Sequence, residues 1–287
     1  MMGAQILSGK EVAQAIKDEC KAAAEELRAK GIVPKLGILR VGEKDSDLAY
    51  ERGATKTMTN AGVDVEVYAL PADISQEDFD KKLQEINEDP AVNGILMFLP
   101  LPKHLDEKRA RNMLRPEKDI DGCTTGSQAG VYANNGLGFP PCTAQASMEI
   151  LKYYNIDLKG KKAAVIGRSL VIGRPVAMML MHANATVTIC HTRTVDVPSV
   201  TREADIVIAA SGQMESVGPE YLSEGQTVID VGINWNDAKG KLCGDVDFDK
   251  AEPIVGAITP VPGGVGSVTS AVLCKHVIEA CKAQNGL

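Results

Sequence analysis

Short apolar runs alternate with amphipathic stretches along almost the whole chain. KLGILRV (35–41) is a β-rich run, followed by a polar loop and the helical DLAYERGATKTMTNAG (47–62). VDVEVYAL (63–70) reads as the next strand, a helix opens at Ser75, and GILMFLPLP (94–102) is a further apolar strand. Ahead of these lies an amphipathic helix with Ser8 as N-cap candidate and Glu11 three residues on, the spacing of a capping box. Beyond residue 160 the pattern resumes with KKAAVIG (161–167), a turn and a helix through PVAMMLMHANA (175–185). TVTICH (186–191), DIVIAAS (205–211) and TVIDVGI (227–233) then follow as strands. Strands separated by crossover helices build parallel sheets, so the expected fold class is α/β.

Two segments break the rhythm. Residues 119–141 are dense in Gly, Thr and Asn, which is loop chemistry, and the interdomain connection is expected there. ITPVPGGVGSVT (258–269) is a second rigid loop, and a last helix, SAVLCKHVIEACKA (270–283), follows it. A length of 287 residues suits two domains better than one core.

Composition narrows the function. A hydrophobic share of 44% and a charged share of 24% are those of a globular protein. The net charge of -7 argues against nucleic acid or an anionic membrane as partner. No apolar run approaches the ~20 residues that span a bilayer, and the opening residues lack a signal-peptide pattern, so a cytoplasmic location is expected. Seven scattered cysteines without a CxxC pair, beside four histidines, point to reduced thiols rather than disulfides or a metal site.

Candidate chemistry begins where KKAAVIG ends at Gly167 and runs into RSLVIGRP, with Gly173 and Pro175 where a helix should start. Glycine after a strand lets backbone N–H groups approach a phosphate, and a helix N-terminus favours an anion. The two glycines stand six apart rather than as GxGxxG. Spacing alone therefore allows either a dinucleotide site or an ordinary tight turn. The next strand ends in CHTRT (190–194), where NAD sites commonly carry an acid that meets the ribose. His191, Thr192 and Arg193, with Arg168 in reach, suit a 2′-phosphate instead, so NADP is expected over NAD unless Arg193 is simply solvated.

Tyr50, PLP (100–102), KDIDG (118–122), PPCT (140–143), VIGRSLVIGRP (165–175), ATVTICHTRT (185–194), DVGIN (230–234), GDVD (244–247) and TPVPGGVG (259–266) occur in this order. As an ordered set they resemble the methylenetetrahydrofolate dehydrogenase/cyclohydrolase family over essentially the whole chain. The resemblance implies a folate-binding α/β domain at 1–121, completed by the helix at 270–287. It implies a Rossmann-like NADP domain at 122–269, with a cleft between the two, and a homodimer. By resemblance Tyr50 packs on the folate ring, Asp121 hydrogen-bonds the pterin, and both count as candidate catalytic residues. Phe98, Leu99, Pro262 and Gly263 complete the candidate substrate set. Gly167, Arg168, Ser169, Gly173, Thr192 and Ile233 form the candidate cofactor set. On their own, Tyr50 reads as a core aromatic and Asp121 as a turn cap; the ordered motif set reverses that reading.

Three positions depart from the family. Asp47 stands where the family has a serine, Ala54 replaces its lysine, and Phe98 replaces its glutamine. Lys56 is no substitute: at about 100° per residue it sits about 240° round the helix from Tyr50, whereas Ala54 sits about 40° away. Ser46 is likewise one residue out of register. The expectation is a dehydrogenase with weak or absent cyclohydrolase activity, whose product needs a separate cyclohydrolase. The rival expectations are an ordinary bifunctional enzyme and a non-catalytic, nucleotide-binding regulatory protein.

Overall fold

The computed structural model describes residues 3–287. In chain order the first elements are β1 (Gln5–Ile6), α1 (Gly9–Ala29), β2 (Lys35–Val41), α2 (Asp45–Asn60), β3 (Asp64–Leu70), α3 (Gln76–Glu88) and β4 (Gly94–Met97). Next come α4 (Glu107–Met113), α5 (Thr125–Ala133), α6 (Cys142–Tyr153), β5 (Lys162–Ile166), α7 (Gly173–His182), β6 (Thr186–Cys190) and α8 (Val197–Arg202). The last are β7 (Ile206–Ala209), β8 (Thr227–Asp230), β9 (Asn234–Asn236), β10 (Lys241–Cys243), α9 (Phe248–Ala251), β11 (Ala257–Ile258) and α10 (Val265–Gln284). They form two compact units, Gln14–Cys142 with Ser270–Leu287, and Thr143–Thr269 with the residues up to Ala13.

The first unit is built on a parallel sheet of order β3-β2-β4. Its central strand KLGILRV is buried almost throughout, as a parallel strand covered on both faces requires. Leu39, Phe79, Leu83, Ile95 and Met97 fill the core beneath it. Ser75 caps α3 by accepting from Asp78 N at 3.1 Å. The final stretch of α10 belongs to this unit, where Gln284 Oε1 accepts from Asn93 Nδ2 at 3.0 Å.

The second unit carries a six-stranded sheet of order β1-β11-β8-β7-β5-β6, parallel at every pairing. Its core includes Ala164, Val207, Val228 and Ile258. An antiparallel ribbon, β9 with β10, projects after β8.

The structure corrects the reading of the irregular segments. Residues 119–141 are not all loop: α5 lies among them, with Thr124 accepting from Ser127 N at 3.0 Å and Asn134 closing the helix in the left-handed region. Its glycines give close packing, since a Cβ at Gly130 would strike the Leu137 carbonyl. This segment joins the first unit because Asp119 ties it there, and the division falls after Cys142 rather than after residue 121. The residues up to Ala13 join the second unit because β1 pairs with β11. The strand begun at Gly94 ends at Met97, with Phe98 N donating once more to Leu39 O at 2.9 Å before Pro100, which has no N–H to offer. The last helix starts at Val265, inside the second rigid loop.

Asp119 is fully buried, and its carboxylate accepts from Cys123 N at 3.0 Å, Thr124 N at 2.7 Å and Ser127 Oγ at 2.7 Å. Asp119→Ala strands the buried Thr124 N–H and the part-buried Cys123 N–H, at about 1–3 kcal/mol each, so a loss of about 3 kcal/mol is expected in urea unfolding.

Candidate functional site

Helix α2 turns its buried stripe, Ala54 and Met58, toward the sheet of the first unit. Tyr50, one turn earlier on that stripe, remains partly exposed and meets the Phe98 ring at a centroid distance of 5.4 Å and a tilt of 45°. Lys56 lies exposed on another face, in line with the angular argument. The helix is fixed by Arg40, a buried cation at the end of β2. Arg40 donates through Nε to Glu51 Oε2 at 2.6 Å and through Nη1 to Gly42 O at 2.5 Å. The clamp acts on the residue next to Tyr50 and so sets where the phenol ring stands.

Asp121 closes the same cluster. Burial pushes its carboxyl up to about 6, against the pull of hydrogen bonds from the Cys142 thiol and main chain. Burial, with the charge of Asp121 beside it, raises the Tyr50 phenol, so that hydroxyl stays neutral. The neighbouring residues of KDIDG have other work. Lys118 is buried and donates to the Asp89 carbonyl at 2.6 Å, while Asp119 anchors the turn. Leu99 packs against the core of the sheet.

In the second unit Gly167, Arg168, Ser169, His191, Thr192 and Tyr221 line a cavity of about 360 Å³. Gly167 has φ +124, and a Cβ there would strike the Ala210 carbonyl. Gly173 does not line the cavity; it packs directly on the Gly167 carbonyl and brings the start of α7 close to the strand end. That start carries no side-chain cap; Arg174 N donates to Ser169 O at 3.0 Å, and Pro175 has no N–H to satisfy. His191 Nδ1 accepts from Arg193 N at 3.1 Å, which puts a neutral ring's proton on Nε2. Arg193 itself is exposed and outside the lining. A close-approach strand end, Arg168 and the hydroxyls of Ser169 and Thr192 fit a phosphorylated dinucleotide.

A second cavity of about 220 Å³ brings together Asp230, Ile233, Pro262 and Gly263. Asp230 is buried and its carboxylate accepts from Gly232 N, Asp245 N and Val246 N, each at 3.0 Å. Burial, reinforced by the charge of Asp245, raises its carboxyl to about 7 despite those bonds. Asp245 in turn accepts from Asn234 Nδ2 at 3.0 Å and Gly212 N at 2.8 Å. DVGIN and GDVD are thus two halves of one pinned loop carrying Ile233. Sequence reasoning missed this pairing, and it missed Ser211, Gln213 and Tyr221 in the larger cavity. It gave no role to His276, and to Cys142 none beyond its place in PPCT, although both meet the carbonyl of Ile120 next to Asp121. Among the described residues no cluster of His, Cys, Asp or Glu is arranged to hold a metal ion, and no helix is long and apolar enough to cross a membrane.

The parallel sheet, the close-packed glycine turn and the cavity at its strand end are those of a dinucleotide-binding domain. The chain belongs to the tetrahydrofolate dehydrogenase/cyclohydrolase family: residues 7–121 match its catalytic domain and residues 141–285 its NAD(P)-binding domain. It is 58% identical over 285 residues to the bifunctional protein FolD of Carboxydothermus hydrogenoformans, covering 99% of each chain. Its structure resembles the bifunctional FolD of Campylobacter jejuni, with a TM-score of 0.94 at 37% identity over 99% of this chain and 100% of that one. It also resembles the Trypanosoma brucei enzyme complexed with NADP and an inhibitor, with a TM-score of 0.91 at 34% identity over 100% of both chains.

Removing Glu51 leaves Arg40 buried beside Gly42 O and a distant Glu43, whose carboxylate is 3.9 Å away. Glu51→Ala is expected to lower stability by about 3 kcal/mol in denaturant titration, toward the low end for a broken buried pair.

Proposed function

We propose that this NADP-dependent dehydrogenase oxidises 5,10-methylenetetrahydrofolate to the 5,10-methenyl form and hydrolyses that product weakly or not at all. The observation that carries the second half is the pair Ala54 and Phe98. Where the family has a lysine there is a buried methyl group, and where it has a glutamine there is a ring packed on Tyr50. Arg168, Ser169 and Thr192 would hold the ribose phosphate, with the Gly167 main chain against the pyrophosphate and Ile233 beside the nicotinamide. When bound, the cofactor supplies a hydride acceptor.

The two reactions ask different things of the chain. In oxidation the hydride leaves a carbon flanked by two nitrogens, and the substrate's own lone pair stabilises the developing cation. Tyr50 and Phe98 offer flat apolar surface for the folate ring, and the Asp121 carboxylate accepts N–H bonds from the pterin, so the protein contributes chiefly position. Hydrolysis adds water to the methenyl carbon and then breaks a C–N bond, steps that need an oriented water and proton transfer. Ala54 and Phe98 provide neither. The reading extends to a cytosolic homodimer, on the family resemblance, and to a separate cyclohydrolase that consumes the product. A regulatory, non-catalytic role is disfavoured by the retention of Tyr50, Asp121 and the glycine-lined cavity together.

Purified protein given methylenetetrahydrofolate and NADP should form the methenyl product, whereas methenyltetrahydrofolate given alone should decay at the buffer rate. Decay well above that rate refutes the loss of hydrolysis; the double substitution Ala54→Lys with Phe98→Gln should raise it by about 10²-fold. Arg168→Ala should weaken NADP binding about 10-fold in titration and leave NAD binding nearly unchanged, as loss of one charge-assisted phosphate contact requires.

A further inference from the structure

The walls of the two cavities in the second unit meet at one buried side chain that lines neither. Asp245 is fully buried. Its Oδ2 accepts from Gly212 N at 2.8 Å, and its Oδ1 accepts from Asn234 Nδ2 at 3.0 Å. Gly212 stands between Ser211 and Gln213, which line the larger cavity, and Asn234 follows Ile233, which lines the smaller one. The main chain of Asp245 extends the same junction. Its N–H donates to Asp230 Oδ1 at 3.0 Å, and its carbonyl accepts from Val217 N at 2.9 Å. Val217 is itself part of the larger cavity's wall, and the Ser211 and Ser216 hydroxyls, 3.0 Å apart, close that wall on itself. Glycines leave the carboxylate room to reach both loops. Gly212 has φ +68, and a Cβ on Gly232 would lie 2.2 Å from Asp245 Oδ1.

We infer that Asp245 is a positioning residue for hydride transfer: one carboxylate oxygen holds the wall around the adenosine end of NADP, and the other holds Asn234 and so sets Ile233 beside the nicotinamide end. The inference rests on the placement of the cofactor proposed above. Two donors meet two oxygens one to one, so a carboxamide at this position can accept from only one of them. The arm to Gly212 ends on main chain, whereas the arm to Asn234 ends on a side chain and is the half that a substitution can cut alone. Ordering one loop lowers the cost of ordering another that is tied to it. A ligand that steadies the Ser211–Val217 wall therefore steadies Gly212, and through Asp245 the residues from Ile233 to Trp235. Because Asp245 lines neither cavity, its contribution is alignment of the nicotinamide rather than affinity for the adenosine end.

The chain's only tryptophan reports on the link, since Trp235 adjoins Asn234 and is 60% exposed. Adenosine 2′,5′-bisphosphate, the phosphorylated adenosine end of NADP without its nicotinamide, should change Trp235 emission saturably in the native protein. Asn234→Ala and Asp245→Asn should bind the bisphosphate within about threefold of native by calorimetry and lose that emission change, since each cuts one arm. With NADP and methylenetetrahydrofolate, both should lower kcat about 10-fold at a nearly unchanged KM for NADP, the loss of one hydrogen bond to a carboxylate from the aligned state. The exchange Asn234→Asp with Asp245→Asn should restore emission change and kcat together. The carboxamide then at 245 donates to the carboxylate at 234 and still accepts from Gly212 N. A merely structural loss would deepen with the second substitution. An emission change of native size in Asn234→Ala, none in the native protein, an unchanged kcat in both single variants, or no rescue by the exchange overturns the inference. If Arg168→Ala leaves bisphosphate binding unchanged, the cofactor placement fails and the inference with it. The emission measurement uses no folate, so a failure of the folate reading leaves it intact. Unchanged urea midpoints confirm that the variants are folded.

Discussion

In each unit a buried carboxylate that accepts main-chain N–H groups anchors the loop that carries the candidate site. Asp119 does this beside β4, where it bridges Ile95, and its hydrogen bonds organise the turn from Asp121 to the start of α5. Asp230 does it at the end of β8, gathering three N–H groups from residues on both sides of the β9–β10 ribbon. Taking a carboxylate out of water costs several kcal/mol, and such hydrogen bonds are what offset that cost. They also impose geometry, because every donor must point at one of two oxygens. A loop so tied cannot drift, and Asp121 and Ile233 inherit fixed positions without belonging to a helix or strand.

The same economy of charge marks the first unit's site. Arg40 is spent on holding α2, Lys118 on main-chain carbonyls, and Ala54 brings no cation. Asp121 is left with Arg111 as the cation in reach, and burial, with the charge of Asp119, raises its carboxyl to about 6. A lysine on that stripe of α2 would favour the ionised form and add a proton carrier. Its absence changes the electrostatics of the pocket and its proton chemistry together, and hydride removal is the step least dependent on either.

Much of this was legible in the sequence. The run KLGILRV is the strand β2 to the residue, and Ser75 is the cap that its position before Glu77 and Asp78 invites. The helix at Thr125–Ala133 was not legible, because a segment rich in Gly, Thr and Ala carries the composition of a loop. Its stability comes from Asp119 and from backbone packing that only glycine permits. Nor could the sequence reveal that Cys142 and His276 meet, 134 residues apart. Each looks like core when taken singly, and both meet the carbonyl of Ile120. The short strand β1 escaped for the opposite reason: two residues have no period, and their partner is β11, near the other end of the chain.

The glycines of the cofactor turn show what a motif does and does not encode. Six residues separate Gly167 from Gly173, against the tighter spacing of GxGxxG, yet the contact between them is as close as backbones allow, since any Cβ on Gly173 would collide with the Gly167 carbonyl. The physical requirement is that strand end and helix start approach without side chains between them. How the chain travels from one to the other is free to vary. Here it travels through Arg168 and Ser169, which line the cavity that the two glycines shape. A longer turn thus supplies cationic and hydroxyl side chains at the place where a shorter one offers mainly backbone. On the proposed function, selectivity for an added phosphate would reside in the excursion between the glycines, while the glycines themselves would serve the part of the ligand that NAD and NADP share.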